Sequence, residues 1–327
     1  MSGEPGGELV PCERSPSGEP PTGFPSTGLP PPAPLSTEPS VGADITRVAR
    51  SLAGAAGVLG RRVLGERDLE GAATVDGFGL DAELTDRVIA PLLRPLYRSW
   101  FKVDTQRLDV LPREGPALVV SNHSGVLPWD AAMLAVAVHD ETPDHRYLRL
   151  LAADLVFNTP LLGWIARSGG ATHARPADAE ALLTAGELVG VFPEGFRGTG
   201  KLYRDRYRLQ RFGRGGFVAV ALRTGAPIIP CAVVGAEESH PMLADVPVLA
   251  RALGIPYFPI TPTWPLLGPL GLAPMPASWT IRLGDPVPTA HLGPDAADDP
   301  ELVHALADRV RDTIAEMLDE LLPAHEA

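Results

Sequence analysis

From residue 117 onward, short apolar runs of strand length alternate with longer segments of helical spacing, and that alternation limits the possible folds more than any other feature. The runs 117–121 (Ala-Leu-Val-Val-Ser), 147–152, 188–192 (Leu-Val-Gly-Val-Phe), 228–234 (Ile-Ile-Pro-Cys-Ala-Val-Val) and 279–283 read as strands. Residues 130–139, 155–166, 177–186, 214–224 and 300–322 read as helices, the last with Leu302, Leu306, Val310, Ile314, Met317 and Leu321 on one stripe. Strands that alternate with helices in this way form a mostly parallel central sheet flanked by helices, an α/β fold. No internal repeat is visible.

The flanking regions differ. Residues 1–40 hold 11 Pro and 6 Gly with almost no apolar periodicity, which predicts a disordered tail. Residues 41–103 read as an amphipathic helical region. Its first helix carries Ile45, Val48, Leu52, Leu59 and Val63 with arginines between them. Its second runs from Asp81 to about Phe101, interrupted by Pro91 and Pro95. Both are candidates to lie on a membrane surface, or else to pack on the domain. The core α/β domain then spans 104–290, and an acidic amphipathic helix closes the chain at 291–327. Between Arg251 and Arg282, 30 residues carry no charge. Seven of them are proline, so no spanning helix can form there. The segment reads either as a loop wrapped on the core or as an apolar lid or membrane-facing surface with Tyr257, Phe258 and Trp264 as interfacial anchors.

The formal net charge of −12 is uneven: −4 falls in residues 1–40 and −8 in 295–327, leaving zero between them. Non-specific nucleic-acid binding needs a basic face and is not expected. Cys12 and Cys231, the two cysteines, make neither a disulfide framework nor a zinc spacing. The first residues show no basic region followed by an apolar stretch, so a cytosolic face is expected. Lys201, Arg204, Arg206, Arg208, Arg211 and Arg214 stand against one acid, Asp205, and form either a patch for acidic lipid or nucleotide phosphates or a solvated loop.

Two segments carry chemistry. In the first, a strand runs into Asn122-His123-Ser124-Gly125, and Asp130 follows at the start of a helix. A His at the carboxyl end of a strand lies where open α/β sheets bind ligands, and Asp130 is placed to orient its imidazole. The competing reading makes Asp130 a helix N-cap and His123 an incidental loop residue. In the second, a strand ends in Pro193-Glu194-Gly195-Phe196-Arg197. Gly195 permits close backbone approach, and Arg197 offers a guanidinium fork to phosphate. Gly195 to Lys201 nearly matches a P-loop, but Leu202 stands where its Ser/Thr belongs.

Together these segments resemble the glycerolipid (lysophospholipid) acyltransferase family, in its 1-acylglycerol-3-phosphate acyltransferase-like form. Asn122, His123 and Asp130 match its first block, and Gly169-Gly170-Ala171-Thr172-His173-Ala174-Arg175 is similar to its second. Phe192, Pro193, Glu194, Gly195 and Arg197 match the third, and Ala226-Pro227-Ile228-Ile229-Pro230 the fourth. The resemblance covers about residues 80–290. It implies acyl transfer without a covalent enzyme intermediate. His123 and Asp130 would be catalytic, and Arg175, Glu194, Gly195 and Arg197 would bind the acceptor head group. The co-substrate would be acyl-CoA or acyl-carrier protein, with no metal or bound cofactor, and the enzyme would act peripherally on the cytoplasmic face of a membrane. One departure concerns spacing: six residues separate His123 from Asp130 where the family commonly has four. The insert resembles a branch acting on neutral glycerides, so the acceptor is lysophosphatidic acid, another lysophospholipid, or a mono- or diacylglycerol. A catalytically silent lipid-binding protein on the same fold is the alternative of another class. Hydrolysis through Ser124 lacks a G-x-S-x-G elbow.

Overall fold

The computed structural model describes residues 75–159 and 162–325. The tail at 1–40 and the helix expected at 45–63 lie outside the described residues. Among the described residues, seven strands form one sheet in the order β1-β9-β6-β2-β5-β3-β4. They are β1 (Asp104–Gln106), β2 (Ala117–Ser121), β3 (Leu148–Ala152), β4 (Thr172–His173), β5 (Leu188–Val191), β6 (Ile228–Val234) and β9 (Thr280–Leu283). β2, β3, β4, β5 and β6 are mutually parallel, whereas β9 runs antiparallel to β6. β7 (Ala244–Asp245) and β8 (Pro259–Ile260) form a separate two-stranded ribbon.

The longer helices are α1 (residues 82–100), α2 (Trp129–Glu141), α3 (Asp154–Asn158), α4 (Leu162–Ser168), α5 (Pro176–Thr184), α6 (Gly216–Thr224), α7 (Pro247–Leu253) and α8 (Pro300–His325). The helix read over 155–166 is two helices, α3 and α4. Thr159 precedes Pro160 and takes an extended backbone, φ −84° and ψ 117°, because the proline ring crowds a helical residue before it.

Strand alternation sends successive side chains to opposite faces, and each face is covered. Leu118 and Val120 of β2 face a layer built from α5, α6 and α8, where Leu182, Leu222, Val310 and Ile314 are buried. Ala117 and Val119 face the other layer, built from α2 and α1, where Met133, Leu134, Tyr97 and Phe101 are buried. A fully buried side chain of this size contributes about 1.5–3 kcal/mol. The central strands are buried throughout, which is why they read as continuous apolar runs.

α1 was one of two candidates for the membrane surface, and the structure places its apolar stripe inward. Leu84, Val88, Tyr97 and Phe101 are buried in the domain. Asp140 at the end of α2 holds it there through a paired contact with Arg94, at 2.7 and 2.8 Å. The helix passes Pro91 and Pro95 through two wide turns. The Ala90 N–H reaches the Thr85 carbonyl and the Phe101 N–H reaches that of Leu96, each five residues back. Prolines without an N–H are thus accommodated without a break. No helix among the described residues is long and apolar enough to cross a membrane.

Candidate active site

The carboxyl ends of β2 and β5, neighbours at the centre of the sheet, release the two loops that carry His123 and Glu194. Asn122 fixes the first loop. Its side-chain amide donates to the Val233 carbonyl at 3.0 Å, and its oxygen accepts from the Val233 N–H at 2.8 Å, so it extends the β2–β6 pairing by one side chain. His123 therefore leaves the sheet at a defined point.

Asp130 lies in the first turn of α2 and is fully buried. One of its oxygens accepts from the His123 Nδ1–H at 2.7 Å and from the Ser124 N–H at 2.9 Å. The other accepts from the Ala131 N–H at 2.8 Å. The carboxylate thus gains from the amides at a helix start and spends its second face on the imidazole. The helix N-cap position itself is Pro128. With Nδ1 donating to Asp130, the lone pair of the neutral ring sits on Nε2, which has no hydrogen-bond partner among the described residues. The imidazole packs against Phe192, ring centroids 4.6 Å apart, and its side chain is 14% exposed. A base held by a buried carboxylate, with its free nitrogen open, can take a proton from a bound hydroxyl. Ser124 is not the nucleophile of such a pair, because its Oγ is buried without a hydrogen-bond partner.

Glu194 departs from the reading that made it a head-group ligand. Its carboxylate points inward. One oxygen accepts from the His123 N–H at 2.8 Å and the other from the Gln210 N–H at 2.6 Å. Lys201 stands 3.8 Å from it and 2.9 Å from Glu237. Burial raises the Glu237 carboxyl above its ordinary range, with Lys201 opposing that shift. Lys201 is therefore a buried interior cation, not part of an outward basic patch, whereas Arg204, Arg208, Arg211 and Arg214 are exposed.

Gly195 and Arg197 face outward on the same loop. Gly195 has φ +54° and nothing within 4 Å of where a Cβ would project. That open, Gly-only backbone suits close approach of a ligand. Arg197 is exposed and makes no ion pair or hydrogen bond among the described residues. Arg175 stands apart. It follows β4 at the sheet edge, three strands from β2, which at the usual strand spacing is about 14 Å. Its side chain is 63% exposed and 4.0 Å from Asp154. His123 and Asp130 are thus brought into contact, and Glu194, Gly195 and Arg197 join them on the neighbouring loop. Arg175 shares only the edge.

Three further residues shape the site. A Cβ on Gly198 would lie 2.6 Å from the His123 carbonyl oxygen, so only glycine allows the two loops to meet. Phe192 walls the imidazole. Tyr257, from the uncharged segment, donates to the Val126 carbonyl at 2.9 Å, its phenol pushed up to about 12 by burial. The Glu-Gly-x-x-Gly spacing of 194–198 is the sequence signal for Gly198, whereas the sequence marks Tyr257 only as an interfacial anchor and the structure turns its hydroxyl to the His123 loop. Cys231 is buried within β6, its thiol pushed up to about 12 by burial, and is a core residue. No group of three or more His, Cys, Asp or Glu side chains able to hold a metal occurs among the described residues.

The family model described as Acyltransferase matches residues 102–234, a span that holds both loops of the site. An uncharacterized protein of Mycobacterium tuberculosis is 52% identical over 287 residues, covering 88% of this chain and 78% of that protein. A bovine protein, the DGAT1/2-independent enzyme synthesizing storage lipids, is 24% identical over 224 residues, covering 68% of this chain and 60% of its own length. Among solved structures, the 1-acyl-sn-glycerophosphate acyltransferase of Thermotoga maritima matches over 85% of this chain and 95% of that one, at 16% identity and a TM-score of 0.48. The family-model match falls on the strands and loops that carry His123, Asp130 and Glu194, and the four motif blocks lie on β2, β4, β5 and β6 of one sheet. Residues 102–234 of this chain are thus an acyltransferase-family domain, and both loops of the site lie inside it.

Proposed function

We propose that the protein transfers a fatty acyl group from acyl-CoA or acyl-carrier protein to a hydroxyl of a glycerolipid acceptor such as lysophosphatidic acid. The observation that carries this reading is the 2.7 Å contact between His123 Nδ1 and the buried Asp130 carboxylate, with Nε2 left open. Nε2 takes the proton of the acceptor hydroxyl as its oxygen attacks the thioester carbonyl carbon. Asp130 stabilises the imidazolium that forms. The C–S bond then breaks, the ester is released, and the imidazolium returns its proton to the thiolate. Arg197 binds the acceptor phosphate, Gly195 lets the acceptor come close to the loop, and Arg175 reaches the same edge from β4. No metal or bound cofactor takes part, and the acceptor is met at the cytoplasmic face of a membrane.

A second reading of the acceptor has its own support. The bovine relative is named for synthesizing storage lipids, and the spacing of His123 and Asp130 is two residues longer than the common family pattern. A mono- or diacylglycerol would not need Arg197. Thiol release measured with lysophosphatidic acid, other lysophospholipids and mono- or diacylglycerol separates the two. Arg197→Ala is expected to raise KM for the phosphorylated acceptor by about tenfold or more, as loss of a charge-assisted contact does. Equal effects on all acceptors remove the phosphate role and favour a neutral glyceride.

A further inference from the structure

The excursion between β6 and β9 has a surface that its own fold leaves open. Leu266 is 84% exposed and Leu270 77%, and Leu243, Val248, Leu253 and Leu267 are each more than half exposed. Val248 and Leu253 stand on the seven-residue α7, Leu270 on a 3-10 turn at Gly268–Leu272, Leu266 and Leu267 in the turn just before it, and Leu243 next to the two-stranded ribbon. Seven prolines prevent a longer helix that would fold the stripe inward. From 252 to 281 there is no charged residue, so the surface around Leu266 and Leu270 carries no charge of its own, and the exposed Asp245 and Arg251 lie before it on the ribbon and α7. Large apolar side chains left exposed in such number on one excursion mark a contact with a membrane or another macromolecule.

We propose that this face, centred on Leu266 and Leu270, docks on a bilayer containing anionic lipid and brings the His123 site to the lipid surface. Charge at its border favours that occupant. The Tyr203 N–H donates to the Met242 carbonyl at 2.8 Å, which places the exposed Arg204 next to Leu243 at the border of the face, and the exposed Arg251 lies in the last turn of α7. Apolar side chains flanked by arginines suit an acyl boundary beneath negative head groups. The face is also joined to the chemistry. Tyr257 ties the excursion to the His123 loop through Val126, and its ring lies where a Cβ on Gly200 of the Glu194 loop would project, 2.8 Å away. Immersion of the leucines therefore sets both active-site loops against the bilayer. This purpose rests on the proposed bilayer-resident acceptor, but the binding itself does not.

Co-sedimentation of the full chain with phosphatidylcholine–phosphatidylglycerol vesicles tests the proposal without using activity. Leu266→Asp/Leu270→Asp, at two exposed positions, is expected to weaken binding by about tenfold or more. Arg204→Gln/Arg251→Gln is expected to weaken it on these vesicles and not on pure phosphatidylcholine, as added salt does. With a short-chain, water-soluble acceptor the leucine double variant keeps wild-type turnover, so loss of binding is not loss of fold. Unchanged vesicle binding by the leucine variant overturns the proposal. So does a wild-type chain that ignores vesicles but is a dimer which the leucine variant dissolves, since the face then joins two copies. Normal vesicle binding with no thiol release from any acceptor would instead sink the acyl-transfer reading alone.

Discussion

At the scale of single residues, the site is a base and the devices that aim it. Asn122 sets where the loop leaves the sheet, Asp130 orients the ring, and Glu194 holds the backbone of His123 while Gly198 makes room for it. This assigns Glu194 a positioning role, with a consequence that differs from head-group binding. Glu194→Gln turns one acceptor into an amide that faces a backbone N–H, either of His123 or of Gln210. The base is then displaced, and kcat is expected to fall by about 10²-fold with KM nearly unchanged. A head-group ligand would raise KM and spare kcat, and steady-state kinetics over a range of acceptor concentrations tells the two apart. Gly198→Ala should behave similarly, since its Cβ would meet the His123 carbonyl oxygen at 2.6 Å. The motif named Glu194, but it did not show where its carboxylate points. That direction depends on Gln210, 16 residues away, and on Lys201 and Glu237, whose pairing is a property of the folded loop.

At the scale of elements, α1 shows what periodicity can and cannot convey. Its apolar stripe was legible from Val88 to Phe101, but a stripe does not reveal what covers it. Here the cover is α2 and the sheet, with Arg94 and Arg98 both turned to Asp140. Asp140 titrates accordingly. Burial works against its charge, but the Arg94 guanidinium and His139 outweigh it, and its carboxyl lies below the ordinary value of 3.8. A carboxylate lowered on folding adds stability above its unfolded pKa and loses it as pH falls through the folded value. Thermal unfolding of Asp140→Asn should therefore show a loss of about 1–3 kcal/mol near neutrality that narrows toward the wild type below about pH 4. A constant gap across that range would mean that the clamp is not electrostatic.

Across the whole molecule, the parallel core was readable because buried strands leave long apolar runs, as in Leu118–Val120 and Ile228–Val234. β1 and β4 were not, since three and two residues cannot show a period, and their pairing is supplied by β9 and β3. The uncharged segment was visible as a composition, but its exposed leucines and its tie to Val126 through Tyr257 appear only in three dimensions. All of these parts converge on one nitrogen, Nε2 of His123. The most direct test is thiol release from acyl-CoA by His123→Ala in the presence of a glycerolipid acceptor, with circular dichroism to confirm the fold. Turnover is predicted to fall by about 10²–10⁴-fold, the usual contribution of a positioned general base. A well-folded variant that turns over at the wild-type rate would contradict the account.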